Sequence, residues 1–178
     1  MDQKVPMRKS NRRVTDRERI DQFLKKQRIG YLGLSDQTSP YVVPLNFYWS
    51  GEKLYFHGAD SGRKAAILEQ SPLACFTVAE ELATLTSPIP AHTTTAYFSV
   101  MLFGRVRAVE PLDEQREAMQ QLLDKFVPGF FQKPLAAQHL ARYRSSLGSR
   151  TVIYCLEPEE IAAKEYPIDP ARAFPTAD

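Results

Sequence analysis

Three runs of alternating apolar and polar residues fall within residues 29–57, separated only by short turn-forming segments. The runs cover residues 29–34, 41–49 and 54–57, with 36–40 and Ser50-Gly51-Glu52 between them. Period-two runs rich in β-branched and aromatic residues predict strands, and a turn as tight as 50–52 makes the second and third a hairpin. Pro44 interrupts the second run. Proline cannot donate to a β ladder, so this run lies at an edge, contains a bulge, or turns its backbone toward a ligand.

Helical spacing frames these strands. Thr15-Asp16-Arg17-Glu18 fits a capping box, and Ile20, Phe23 and Leu24 then repeat at helical intervals to about Gln27, with Gly30 placed to stop the helix. A second helix is predicted from Ser61 or Arg63 to Gln70, ended by Ser71-Pro72. Residues 73–79 read as a strand, 80–95 as an irregular loop, and 96–109 as the longest strand, in which Gly104 marks a bend or close packing. Asp113 is placed to cap a helix to Phe126, followed by a further helix over 135–143. Strands over 151–156 and 161–164 come next, and a proline-rich extended tail begins after Tyr166. About six short-spaced strands with inserted helices predict an α+β fold: an antiparallel barrel, closed or split, with peripheral helices.

Composition limits what this fold does. A net charge of +2 over 178 residues gives no global pull toward nucleic acid or membrane. Residues 1–14 are basic, but no aromatic residues are interleaved to stack on bases, so a flexible, solvated arm is expected. No run approaches the length of a membrane-spanning helix and no apolar leader core is seen, which makes the cytoplasm the expected location. Cys75 and Cys155 lie in apolar strand-like runs and read as buried free thiols. His57, His92 and His139 are too widely spaced to form a metal motif, and no metal site is expected.

The chemistry concentrates in His57-Gly58-Ala59-Asp60-Ser61-Gly62-Arg63-Lys64. A strand ends in a glycine-containing loop and a helix begins with two cations. Cations are disfavoured at a helix N-terminus, whose free amides and positive dipole end attract anions, and a bound phosphate accounts for both. Arg63 offers a planar fork and Lys64 a point charge. The spacing is neither a Walker loop nor a dinucleotide fingerprint, so the ligand is a smaller phosphorylated molecule. In 41–47, the strand interrupted by Pro44 and the paired donor and acceptor of Asn46 suit the N–C=O pattern of a flat heteroaromatic ring. A buried strand with a bulge accounts equally well for those residues.

These segments resemble, in order, a known family. Gly30-Tyr31-Leu32-Gly33-Leu34, then 40–47, Leu54-Tyr55-Phe56-His57-Gly58-Ala59, Gly62-Arg63-Lys64, 74–78, 97–100 and Phe103-Gly104-Arg105-Val106 are similar to the pyridoxamine 5′-phosphate oxidase-like FMN-binding split barrels. Within these the likeness is greatest to the 5-nitroimidazole-resistance (Nim) branch. The resemblance implies a six-stranded antiparallel split β-barrel over 15–166, with a helical insertion at about 113–145 and an extended tail over 167–178. It implies a homodimer with FMN at the subunit interface. Val42, Val43, Pro44, Leu45 and Asn46 would line the flavin ring edge. Phe56, His57 and Gly58 would face the ribityl chain or ring, Arg63 and Lys64 would hold the phosphate, and Ser99 and Val100 would reach the flavin.

The function so implied is an FMN oxidoreductase that reduces a small planar electrophile such as a nitroaromatic, with His57 as the candidate proton-transfer group. A non-catalytic module holding flavin or haem, and a deazaflavin (F420) reductase, are the competing expectations. Two departures count. Phe98 stands where the branch commonly has arginine, and 153–178 lacks the basic and aromatic motifs for pyridoxal phosphate, which argues against true pyridoxamine-phosphate oxidase activity.

Overall fold

The structure, a computed structural model, describes residues 7–36, 39–140, 142–144 and 148–175, without the side chains of Ala137 and His139. Residues 1–6 of the expected arm, 37–38 of the first turn, 141 and 176–178 lie outside the described residues. A 3-10 turn at Ser10–Arg12 leads into β1 (Arg13–Val14), α1 (Arg17–Lys26), β2 (Ile29–Ser35), β3 (Pro40–Asn46), β4 (Tyr48–Trp49) and β5 (Leu54–Ala59). Then follow α2 (Arg63–Gln70), β6 (Leu73–Leu85), β7 (Thr94–Ala108), α3 (Leu112–Phe126), the single turn α4 (Ala137–Leu140) and β8 (Thr151–Tyr166).

All strands pair antiparallel in one sheet of order β3-β2-β6-β7-β8-β5-β4, with β1 on the outer side of β8. The sheet curls until β3 comes back beside β5, but these two strands make no ladder with each other. This is a split barrel. Six strands are long and match the expected six; β1 and β4, two residues each, bring the total to eight. Phe47 divides the expected second strand in two. Its first part pairs with β2, and Tyr48–Trp49 forms the hairpin with Leu54 and Tyr55.

The barrel interior is filled by Leu32, Phe56, Phe76, Val100, Leu102 and Leu156, all without exposure. The amphipathic face of α1 closes one end with Ile20, Phe23 and Leu24. Each such side chain contributes about 1.5–3 kcal/mol on burial. A second cluster outside the barrel packs Ala118, Met119 and Leu122 of α3 and Leu140 of α4 on Tyr55, Ile153 and Cys155. Charged side chains stitch α3 to the barrel: Tyr55 Oη and Arg107 both donate to Glu114, at 3.0 and 2.8 Å. Arg107 and Lys53 also share Glu157.

Several expectations shift for identifiable reasons. The cap of α1 is Asp16, whose carboxylate accepts from the Arg19 amide at 3.2 Å, rather than Thr15. Gly30 does not end that helix; it lies in β2, where a Cβ would stand 2.1 Å from the Phe76 ring. Residues 80–95 are not all loop. β6 runs on to Leu85 past a bulge between Glu81 and Ala83, and β7 begins at Thr94, in keeping with the β preference of threonine. Pro111, not Asp113, precedes α3; Asp113 and Glu114 lie in its first turn, favourably near the positive dipole end. The helix expected over 135–143 is only α4.

Two short strands expected near the C-terminus are one strand of 16 residues. It stays paired with β7 because the irregularity is absorbed where Gly104 opposes Pro158. The described part of the tail turns at 170–172 and is tied to the end of β6: the Phe174 amide donates to the Thr84 carbonyl and the Thr86 amide to the Arg172 carbonyl. Cys75 and Cys155 are free, one half-buried and one buried. Among the described residues no helix is long and apolar enough to cross a membrane.

The bulge predicts a sharp local sensitivity. A Cβ on Gly104 would lie 2.0 Å from the Glu157 carbonyl oxygen, which is backbone and cannot swing aside. Gly104→Ala should therefore cost about 1–3 kcal/mol by overpacking. That corresponds to a fall of several degrees in Tm, measured by thermal unfolding. An unchanged Tm would contradict the packing described.

Candidate functional site

The open edges facing each other across the split are β3 and the part of β5 beyond its pairing with β4 at Leu54 and Tyr55, and these carry the residues expected to hold a ligand. β3 is the outermost strand, so Pro44 sits where its missing N–H costs no ladder bond. Along β3, Val42, Pro44 and Asn46 point outward and are exposed, whereas Val43 and Leu45 lie partly buried against the core. The end of β3 is held by Lys125 of α3, whose ammonium donates to the Phe47 carbonyl at 3.0 Å and lies over the Phe47 ring. Burial lowers its pKa to about 8.

On β5, Phe56 is fully buried, His57 is exposed and Gly58 is intermediate. The chain then passes Ala59 and Asp60, whose amide donates to the Arg150 carbonyl, and reaches Gly62. Gly62 has φ +92°, a conformation that favours glycine, and turns the chain into α2. The first helical bond is from the Ala66 amide to the Gly62 carbonyl. The preceding amides therefore open the helix without intrahelical partners, a ready anion cradle.

Lys64 and Arg63 have different surroundings. The Lys64 ammonium folds back over β5, 5.4 Å from the Phe56 ring centroid and 5.1 Å from that of Tyr154. The missing side chain of Gly58 makes the room, since a Cβ there would be 1.9 Å from Nζ. Among the described residues Lys64 has no carboxylate or carbonyl partner, and burial lowers its pKa from the ordinary lysine value. Arg63 is engaged elsewhere. Its guanidinium pairs with Asp36 at 2.9 Å, donates to Ser39 Oγ at 2.6 Å and lies over the Tyr41 ring. One cation is tied down, and among the described residues the other has only aromatic rings beside it.

His57 is exposed on one side, yet the protein crowded around its ring lowers its pKa, and the positive charge of Lys64 lowers it further. The imidazole is thereby biased toward its neutral form, able to accept a proton at one nitrogen and donate from the other. His92 is exposed, and the side chain of His139 lies outside the described residues. A cavity of about 550 Å³ opens beside α2, lined by Asp60, Ser61, Gly62, Ala65, Arg107 and Tyr154.

The structure brings together Val43, Leu45, Phe56, His57, Gly58 and Lys64 near the split, but not Ser99 and Val100. Those two lie on β7, separated from β3 by β2 and β6. Val100 is buried in the core and Ser99 points to the outer face. Phe56 is likewise closed inside the barrel, so only its backbone is open to a ligand. Tyr154, stacked on Phe56 at 5.3 Å and facing Lys64, was not among the expected site residues. It belongs to an apolar run with no motif, and only the pairing of β8 with β5 brings it here.

The Lys64–His57 coupling is directly measurable. In the ligand-free protein the His57 ring should titrate below 6.5, followed by its NMR ring-proton shifts, and Lys64→Met should move the midpoint upward by removing a positive neighbour. Because the folded-state pKa is depressed, His57 should erode stability as pH falls from 6.5 through that value, and His57→Gln should flatten this part of the profile. A midpoint unmoved by Lys64→Met would separate the two groups.

The family model described as pyridoxamine 5′-phosphate oxidase matches residues 16–165. No curated protein matches at a significant level. Among solved structures, a flavocytochrome from Azotobacter vinelandii superposes with a TM-score of 0.77 at 22% identity, over 92% of this chain and 75% of that one. A FAD and heme binding protein from Mycobacterium smegmatis gives 0.70 at 21% identity, over 90% and 77%. A candidate 5-nitroimidazole antibiotic resistance protein from Bacteroides thetaiotaomicron gives 0.65 at 20% identity, over 85% of each chain. At these identities the structural likenesses speak for the fold, and the family model spans nearly the whole domain: the chain is a member of the pyridoxamine 5′-phosphate oxidase family, built on its split barrel.

Proposed function

We propose that this protein binds FMN and uses it to reduce a small planar electrophile such as a nitroaromatic. The observation that carries the reading is Lys64: a half-buried cation without an anionic partner, at the glycine-led start of α2, beside the open edges of a split barrel. A phosphate there would receive the ammonium and the free amides of the first helical turn. The exposed edge of β3, at Val42, Pro44 and Asn46, offers backbone and amide groups to a flavin ring, with Val43 and Leu45 backing the strand. Arg63 reaches the phosphate only by leaving Asp36, so it serves first to fix the β2–β3 turn against α2. FMN, when bound, supplies the electron-transfer chemistry; the protein contributes position and electrostatics. His57, biased toward the neutral imidazole, is the group placed to orient the acceptor or pass it a proton.

The same reading calls for a homodimer with the flavin at the subunit interface. Gly58 pairs with Val152 and Ser99 with Lys164, and those two partners are twelve residues apart on β8. At about 3.3 Å per residue the strand separates them by roughly 40 Å, too far for one mononucleotide to meet both within one subunit. On this reading Ser99 contributes from a second copy. The outward face of β2, β3, β6 and β7 offers a surface for that copy, with Tyr31, Val42 and Met101 exposed on it. Two free thiols suit a cytoplasmic location. A haem-binding module is the second reading. It is favoured by the same exposed, neutral-biased imidazole of His57, which would hold the haem iron.

Purified protein should be yellow, or take up FMN with the absorption of bound flavin. Lys64→Met should weaken FMN about tenfold to a hundredfold, the range of a lost charge-assisted contact, while hardly changing riboflavin, which lacks the phosphate. Reduced, FMN-loaded protein should consume a nitroaromatic, and His57→Ala should slow turnover more than it weakens FMN. Uptake of haem with an intense Soret band, and none of FMN, would decide for the second reading.

A further inference from the structure

Of the basic N-terminus, which the proposed reaction does not use, Arg13–Val14 lie along the barrel as β1. In the ladder with β8, Arg13 stands directly opposite Lys164, and Lys164 in turn stands opposite Ser99 on β7, which faces Ala79 on β6. Residues directly opposite in antiparallel strands share a face, with Cβ atoms about 5 Å apart, and like charges there repel. Arg12 joins the same face, its guanidinium 3.7 Å above the ring of Tyr166, two residues beyond Lys164. Among the described residues none of these three cations has a carboxylate partner.

The nearest acidic groups leave the cations unpaired. Glu165 is on the opposite face, bound to Arg19 at 2.9 Å, and Asp16 caps α1. Glu81 shares the face but lies across from Tyr97 on β6, and it accepts from Thr84 Oγ1 at 3.4 Å. Ser99 and Ala79, the residues next in the row, carry small side chains that add no further charge beside Arg13 and Lys164. The row thus has two facing cations, a third fixed on an aromatic ring and a hydroxyl beside them.

We propose that Arg12, Arg13, Lys164 and Ser99 form a second anion site, separate from Lys64, which takes a phosphoryl group of a phosphorylated nucleotide. Arg13 supplies a bidentate fork, Lys164 a point charge and Ser99 a neutral hydrogen bond. The phosphoryl group has two sources with the same chemistry: the second phosphate of a dinucleotide flavin held at Lys64 of a second copy, which rests on the dimer proposed above, or the 2′-phosphate of a free nicotinamide reductant.

The test uses the full chain and begins with inorganic pyrophosphate, titrated calorimetrically without flavin, so that this inference and the flavin reading fail separately. Pyrophosphate should bind, and Lys164→Glu should weaken it about tenfold or more. Because Lys164→Glu gives Arg13 an opposite charge, its Tm should not fall, which separates lost binding from lost folding. Arg13→Gln should weaken binding with the same sign. No binding, binding unchanged by Lys164→Glu, or binding lost only in Lys64→Met would overturn the proposal. FAD against FMN, and NADPH against NADH, then identify the source. A loss confined to FAD in Lys164→Glu assigns the flavin's second phosphate, and a loss confined to NADPH assigns the reductant. A loss for pyrophosphate alone, with FAD and NADPH unaffected, would overturn the assignment to a nucleotide.

Discussion

The missing ladder between β3 and β5 is the constraint on which the rest of the structure depends. A barrel that closes fully has no edges, and its backbone donors and acceptors are consumed in pairing. Here two edges remain, and an open edge invites pairing with other chains. Pro44 blunts one of them by removing a donor, and α2 follows directly from the other. Lys64, at the start of α2, then lies back across β5 onto Phe56 and Tyr154. The opening that endangers the fold is also the place where backbone groups and a cation stand ready for a ligand.

The energetics of that cation decide between structure and function. Withdrawing an ammonium from water costs several kcal/mol unless it is paired, and cation–π contacts of about 0.5–2 kcal/mol offset only part of this. Where cations of this chain serve the fold they are satisfied: Arg107 has Glu114 and Glu157, Arg19 has Glu165, and Arg63 has Asp36 and Ser39. Lys64 stands apart from this pattern. It depresses the proton affinity of His57 as well as carrying its own desolvation cost, so two unfavourable terms meet at one point. A bound phosphate relieves both, by pairing the ammonium and by screening its charge from the imidazole.

Much of this was legible in the residues themselves. The period-two runs gave the long strands because each has one face in the core. Pro44 announced an edge because proline is excluded from ladder interiors. The clustering of Gly58, Gly62, Arg63 and Lys64 pointed toward an anion site because a bound anion reconciles cations with a helix N-terminus; the proposed function rests on that expectation. Other features were illegible for equally physical reasons. The length of β8 depends on Gly104 yielding room to the Glu157 carbonyl across the ladder, a contact between residues more than fifty positions apart. The division of labour between Arg63 and Lys64 rests on Asp36 and Ser39, brought near by the β2–β3 turn, and nothing in the spacing of Arg63 and Lys64 foretells which one is captured.

The basic N-terminus carries the same lesson further. Read as a string, residues 1–14 are a solvated arm, since charge without aromatic neighbours has no evident partner. In the fold, Arg12 finds its aromatic neighbour in Tyr166, some 150 positions away, and Arg13 acquires a like-charged neighbour in Lys164. Both juxtapositions arise because β8 is long enough to extend past the barrel's paired centre and accept β1 at its far end. The bulge at Gly104 and Pro158, which permits that length, thus governs more than local packing. It sets the distance between the Lys64 end of β8 and the Arg13 end, and so whether a ligand spanning both must be shared between two copies of the chain.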